Sequence, residues 1–163
     1  MNRRILVIAV LILMLPPPVV AQEKSASFDF KARMNAMLRA WETLDPAKAA
    51  QYYDKDPKLA FYDIAPFKYM GWEEYSKGVI DTFSGTYQSG KFFLHDDIHL
   101  HHGPKVTWAT ATLDFEILRK DGGRELLKDL RWTLIWEKRG NDWLLVHEHL
   151  SVPMGTAPQS QPK

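Results

Sequence analysis

Residues 131–153 constrain the fold of this chain more than any other stretch. They read Arg-Trp-Thr-Leu-Ile-Trp-Glu-Lys-Arg-Gly-Asn-Asp-Trp-Leu-Leu-Val-His-Glu-His-Leu-Ser-Val-Pro. Two alternating apolar runs flank Gly140-Asn141-Asp142, and this pattern predicts strand, turn, strand. Side chains two apart share a sheet face. His147, His149 and Ser151 therefore face one way, and Val146, Glu148 and Leu150 the other. On the partner strand Arg131, Thr133 and Glu137 share a face, and Trp132, Leu134 and Trp136 take the opposite one.

The N-terminus reads as a targeting signal. Asn2-Arg3-Arg4 is a short basic segment, Ile5 to Leu15 is uninterruptedly apolar, and Pro16-Pro17-Pro18 breaks any helix. Val19-Val20-Ala21 suits signal peptidase, which places cleavage after Ala21 and predicts a periplasmic or secreted protein. The apolar run is short for a membrane span. The chain has no cysteine, which excludes a lipoprotein anchor, disulfides and thiol chemistry. Removing Arg3 and Arg4 takes lysine and arginine from 21 to 19 against 20 acidic residues. That near-neutral balance offers nucleic acid no basic surface. The mature chain is the size of one domain, and residues 22–154 are read as that domain.

Helices come first. Ser27 is placed to cap a helix with Phe30, Met34, Met37, Leu38, Trp41 and Leu44 on one face. Asp45-Pro46 starts a second, short helix. Leu59 to Tyr62 is a short strand and Ala65 to Gly71 a loop. Trp72, Tyr75, Val79, Ile80 and Phe83 give a third amphipathic helix. Strands follow over Phe92–His102, Val106–Leu118, Leu126–Lys138 and Trp143–Val152, with a hairpin turn at Asp121-Gly122-Gly123. The Pro-, Gln- and Ser-rich tail, 155–163, reads as disordered. Helices and then long antiparallel strands make an α+β pattern, with a sheet curved over helices around a cavity.

This order, ending in Trp143, His147, His149, Ser151 and Pro153 after Arg131 and Thr133, resembles the NTF2-like superfamily and most closely its SnoaL-like domains. The resemblance runs from about Phe28 to Pro153. It implies a cone of three N-terminal helices packed in a strongly curved antiparallel sheet, and a homodimer formed through the outer sheet face. It implies no single activity, because members include isomerases, polyketide cyclases, dehydratases and non-catalytic binding or assembly domains. Ile98-His99-Leu100, Trp136 and Val146-His147-Glu148-His149 are also similar to the association domain of calcium/calmodulin-dependent protein kinase. Where that domain carries three pocket arginines this chain has Leu113, Leu134 and Leu150, which implies an apolar pocket. Ketosteroid isomerases of the same fold place a base where Asp63 stands, but their oxyanion-hole positions correspond to Met37 and Thr133.

The candidate residues each have two readings. Asp63 is a general base in an apolar cavity beside Phe61 and Tyr62, or a loop aspartate capping a turn. Glu148, on the face assigned to the cavity, is a second acid/base or ligand anchor, unless a bulge turns it to solvent. His149 is catalytic, or belongs with His147 and Ser151 to a polar dimer seam. His95, His99, His101 and His102 raise a metal hypothesis, but the strand pairs carrying His99/His101 and His147/His149 are not expected to meet, so no metal and no cofactor is assigned. Tyr62, Leu113, Trp132, Leu134 and Leu150 are the expected ligand-binding residues. The chain thus reads as an exported homodimeric cone holding a small, mainly apolar molecule. The alternatives are a cofactor-independent isomerase or cyclase with Asp63 as base, and an assembly module with a vestigial cavity.

Overall fold

Each helix starts where the chain supplies an acceptor or a bend for it. The computed structural model describes residues 28–64, 68–154 and 159–161. The expected leader with its cleavage site, and Ser27, lie outside the described residues. Helix α1 (Phe30–Trp41) is capped by Asp29, whose carboxylate accepts the Ala32 N–H at 2.9 Å. It buries Phe30, Met34, Met37, Leu38 and Trp41, and each such apolar side chain is worth roughly 1.5–3 kcal/mol of transfer free energy before entropy is charged. Leu44 sits past the helix end at φ 55°. Asp45 then caps α2 (Pro46–Ala49), accepting from Ala47 N–H at 3.0 Å, and a 3₁₀ turn over Ala50–Tyr52 follows.

The stretch read as a loop before the third helix is partly strand. Tyr69–Met70 (β2) pairs with Ala60–Tyr62 (β1), and Gly71 already belongs to α3 (Gly71–Phe83). Gly71 adopts φ 69°, and a Cβ there would lie 2.8 Å from Pro57 Cα, so only glycine enters this helix cleanly. Helix α3 buries Trp72, Tyr75, Val79 and Phe83. Ile80, expected on the same face, is 48% exposed, since one residue past Val79 rotates it by about 100°.

The remaining strands are β3 (Tyr87–Leu94), β4 (His99–His102), β5 (Val106–Arg119), β6 (Arg124–Arg139), β7 (Asp142–Ser151) and β8 (Gln159–Gln161). The single strand expected over 92–102 is thus two, both paired to β5. Within the tail read as disordered, β8 pairs with Arg124–Leu126 of β6. The main path through the sheet is β2-β1-β7-β6-β5-β3. It is mixed rather than wholly antiparallel, because β1 runs parallel to β7 with Phe61 opposite Glu148. Along β5 burial alternates strictly from Thr107 to Ile117, so one face is core and the other is surface. The described residues contain no helix long and apolar enough to cross a membrane.

Two irregularities bend the sheet. One lies between Leu113 and Phe115 on β5, where Asp129 of the opposing strand takes φ 55°. The other lies in the β6–β7 ladder, where Ile135 pairs with His147 but Trp136 pairs with Leu145, leaving Val146 unopposed. Upstream of Val146 the odd residues Trp143 and Leu145 are buried; downstream the even residue Glu148 is buried and His149 is exposed. Glu148 therefore points inward because of the bulge, which reverses the side-chain parity of β7. Arg33 ties α1 to the start of β7, donating to the Trp143 carbonyl at 2.7 Å and to Asp142 at 2.9 Å.

Candidate active site

Aromatic rings fill most of the space between helices and sheet. Trp41, Tyr53, Phe61, Trp72 and Tyr75 interlock with ring centroids 4.6 to 6.0 Å apart. What remains is a cavity of about 50 Å³, walled by Leu38, Phe83, Phe92 and Phe115 and carrying Asp63 and Glu148 in its lining. An apolar cavity of about 150 Å³ takes benzene, so this one is small. The expected leucine floor is not its lining: Leu113 and Leu134 are fully buried within the core.

Glu148 is the polar centre of this core. Its Oε2 accepts the Tyr53 hydroxyl at 2.6 Å and the Tyr75 hydroxyl at 3.3 Å, and its Oε1 accepts the Trp132 indole N–H at 2.6 Å. Tyr53 in turn accepts the Trp41 indole N–H at 2.8 Å. A carboxylate in an apolar core costs several kcal/mol unless donors surround it, and here three do. Burial pushes the Glu148 carboxyl up, against the pull of those hydrogen bonds. Burial, and then the neighbouring Glu148 charge, hold the Tyr53 hydroxyl well above its ordinary value. Trp132, expected to bind ligand, is buried in the core and donates to Glu148.

Asp63 lies just beyond β1, half-buried, at the boundary between the cavity and the outside. Its Oδ1 accepts the Ile64 N–H at 2.6 Å. Desolvation, and next the charge of Glu148, push its carboxyl up to about 7, while the Ile64 amide and the Tyr75 hydroxyl pull the other way. Asp63 also borders a shallow outer depression of about 450 Å³, lined with Tyr62, His149, Leu150 and Val152. Tyr62 is not in the cavity; its ring packs against His147 and His149 on the outer sheet face. Leu150 is half-buried at the same rim. The expected residues thus divide: Asp63 and Glu148 meet at the cavity, and Tyr62, His149 and Leu150 meet outside it, with Asp63 common to both.

Residues 31–155 match the SnoaL-like domain family. The chain belongs to that family. The fold of this SnoaL-like protein is shared with an NTF2-like superfamily protein from Salmonella enterica, at 22% identity over 78% of this chain and 91% of that one, TM-score 0.69. A Xanthomonas campestris protein assigned as a calcium/calmodulin-dependent protein kinase II association domain gives 18% identity over 78% and 87%, TM-score 0.66. A type 2 hexachlorocyclohexane dehydrochlorinase gives 10% over 80% and 88%, TM-score 0.63. At these identities the likeness is one of fold. No curated protein matches the chain.

Tyr53 and Tyr75 were not singled out from the sequence. Their signal was present: a tyrosine on the buried face of a helix needs an acceptor, and a glutamate on a core-facing strand needs donors. The ketosteroid-isomerase positions Met37 and Thr133 contribute no donor here, since Met37 is fully buried core and Thr133 lies on the outer face. His99 and His149 stand in one row across β4, β5, β6 and β7, three strand spacings or about 14 Å apart, so those two histidine pairs do not converge.

Proposed function

We propose that this SnoaL-like protein is a cofactor-independent acid–base enzyme of the isomerase or dehydratase kind, acting on a small, mainly apolar carbonyl compound. The observation that carries the reading is the position of Asp63. Its carboxyl, held near the pH of the medium, borders both the apolar cavity and the outer depression from which a substrate reaches it. Asp63 takes a proton from the carbon beside the carbonyl. The C–H electron pair moves to the carbonyl oxygen, and the Tyr75 hydroxyl turns from Glu148, 3.3 Å away, to donate to the developing enolate. Return of the proton from Asp63 to another carbon gives isomerisation, and its delivery to a departing β-hydroxyl gives dehydration with release of water. The dehydrochlorinase with this fold supports elimination as a chemistry the scaffold accommodates. Glu148, fixed by three donors, raises the proton affinity of Asp63 by its charge and holds Tyr75 in place.

The apolar walls alone support a second reading, a binding module for the same class of molecule. Turnover of small enolisable ketones and β-hydroxy ketones separates the two. Wild-type turnover that Asp63→Asn abolishes, with ligand affinity unchanged, supports the enzyme; ligand binding without turnover by either protein supports the module. Export and homodimerisation belong to the same proposal. The basic-then-apolar start of the chain supports export. The outer sheet face, with Trp108 39% exposed beside threonines and histidines, supports pairing of two copies there.

A further inference from the structure

The outer face of the sheet carries a second cluster that the cavity chemistry does not use. His95 follows β3, Asp114 lies on β5, and Asp129 lies at the bulge of β6. One ligand atom from each lies within 4.8 Å of the other two. Leu113 and Phe115 flank Asp114 and are buried, so Asp114 faces away from the cavity.

The hydrogen bonds around His95 set its tautomer. Thr112 Oγ1 donates to Asp97 Oδ2 at 2.8 Å. A hydroxyl has one proton to give, so toward His95 Nδ1, 2.8 Å away, the same oxygen accepts. Nδ1 therefore carries its proton, and in the neutral ring Nε2 presents a lone pair. That lone pair faces Asp114 Oδ1 at 3.4 Å. In that state two acceptors face each other, an arrangement that a cation between them stabilises. A proton would draw them to about 2.7–2.9 Å, the length of a charge-assisted hydrogen bond. A separation near 3.4 Å is instead about the edge of a tetrahedron with metal–ligand bonds of roughly 2.1 Å.

Asp129 is brought to the same place by a backbone that a side chain rarely adopts, φ 55°, and its N–H is fixed to Asp114 Oδ1 at 3.0 Å. Thr112 and Asp97 hold the imidazole as the outer hydrogen-bond partners of a metal-bound histidine commonly do. Lys31 lies toward Asp96, 3.4 Å away, so its ammonium is engaged outside the cluster.

We propose that His95, Asp114 and Asp129 form a binding site for a divalent transition-metal ion, with water completing its coordination. One imidazole and two carboxylates suit zinc, cobalt, manganese or ferrous iron, whereas magnesium and calcium prefer oxygen alone. The ion joins the end of β3 to the bulge of β6 across β5. Its place on the outer face makes it a clamp on sheet curvature rather than a participant at Asp63.

The test titrates Co²⁺, and separately Zn²⁺, into the full chain carrying no histidine tag. Visible d–d absorption, calorimetry and thermal unfolding are recorded for wild type, His95→Ala and Asp129→Asn. The expected result is one equivalent of metal bound, a rise in unfolding temperature, and at least tenfold weaker binding in both variants. Asparagine tolerates the left-handed backbone at 129, so circular dichroism of that variant is expected to match wild type. Binding of equal strength in the variants would place the metal on other histidines and overturn the site. Absence of stoichiometric binding, with ¹⁵N shifts showing both His95 nitrogens protonated, would make the cluster an imidazolium ion pair and overturn it equally.

Discussion

The two faces of the sheet treat acidic side chains in opposite ways. Inside, Glu148 is 4% exposed and is stabilised by neutral donors: two tyrosine hydroxyls and an indole. Outside, Glu116 and Glu137 are wetter and pair with arginine. The difference follows from desolvation. A neutral donor costs little to bury, whereas a buried arginine would add a second ion to desolvate. The inner arrangement consequently leaves its carboxyls with raised proton affinity, the state an acid–base site requires.

The largest expected effect is on chemistry. Asp63→Asn keeps the acceptor for Ile64 N–H but loses the base, and a fall in kcat of about 10³-fold is expected, within the usual range for general-base removal. A kcat within threefold of wild type would end the inner face's claim to be a reaction site. Next comes Glu148→Ala, which strands the Tyr53, Tyr75 and Trp132 donors and is expected to cost about 3–5 kcal/mol in urea unfolding. Glu148→Gln keeps an acceptor and is expected to cost about half as much.

The pH dependence is third. The Asp63 carboxyl is raised in the folded state from an ordinary value near 4 to about 7, so the unfolded chain releases this proton first. Its stabilising contribution is complete below the ordinary value and is lost as pH rises to about 7. Unfolding free energy in wild type minus that in Asp63→Asn is expected to fall by roughly 3–4 kcal/mol between pH 4 and pH 8. A flat difference would show that Asp63 is solvated like an outer-face acid. The smallest effect belongs to the exposed pair Lys31–Asp96, where Lys31→Ala is expected to change stability by less than about 0.5 kcal/mol.

Much of the scaffold was legible because its signals are local and repeated. The heptad-like burial of Phe30, Met34, Met37, Leu38 and Trp41 and the strict alternation of β5 each span many residues, so a single exception does not hide them. Asp63 and Glu148 were legible as acids beside apolar neighbours. The size of the cavity was not, because it depends on how five aromatic rings from α1, the following turn, β1 and α3 interlock, and ring packing leaves no periodic trace. The pairing of Tyr62 with the outer histidines was hidden likewise: β1 is three residues long and joins β7 in parallel, a register set by contacts distant in sequence. The His95 cluster joins three elements through one bulge, and nothing in the spacing of residues 95, 114 and 129 announces it.

Val146 stands alone across from β6, and that surplus residue decides which half of the His-Glu-His triplet meets the interior. Smoothing the bulge, so that Val146 pairs in the ladder, would turn the glutamate out to solvent and swing an imidazole toward the tyrosines. In a lineage of such cones, the identity of the interior proton carrier is thus open to exchange by a one-residue slip of register, with every chemical group already encoded next door.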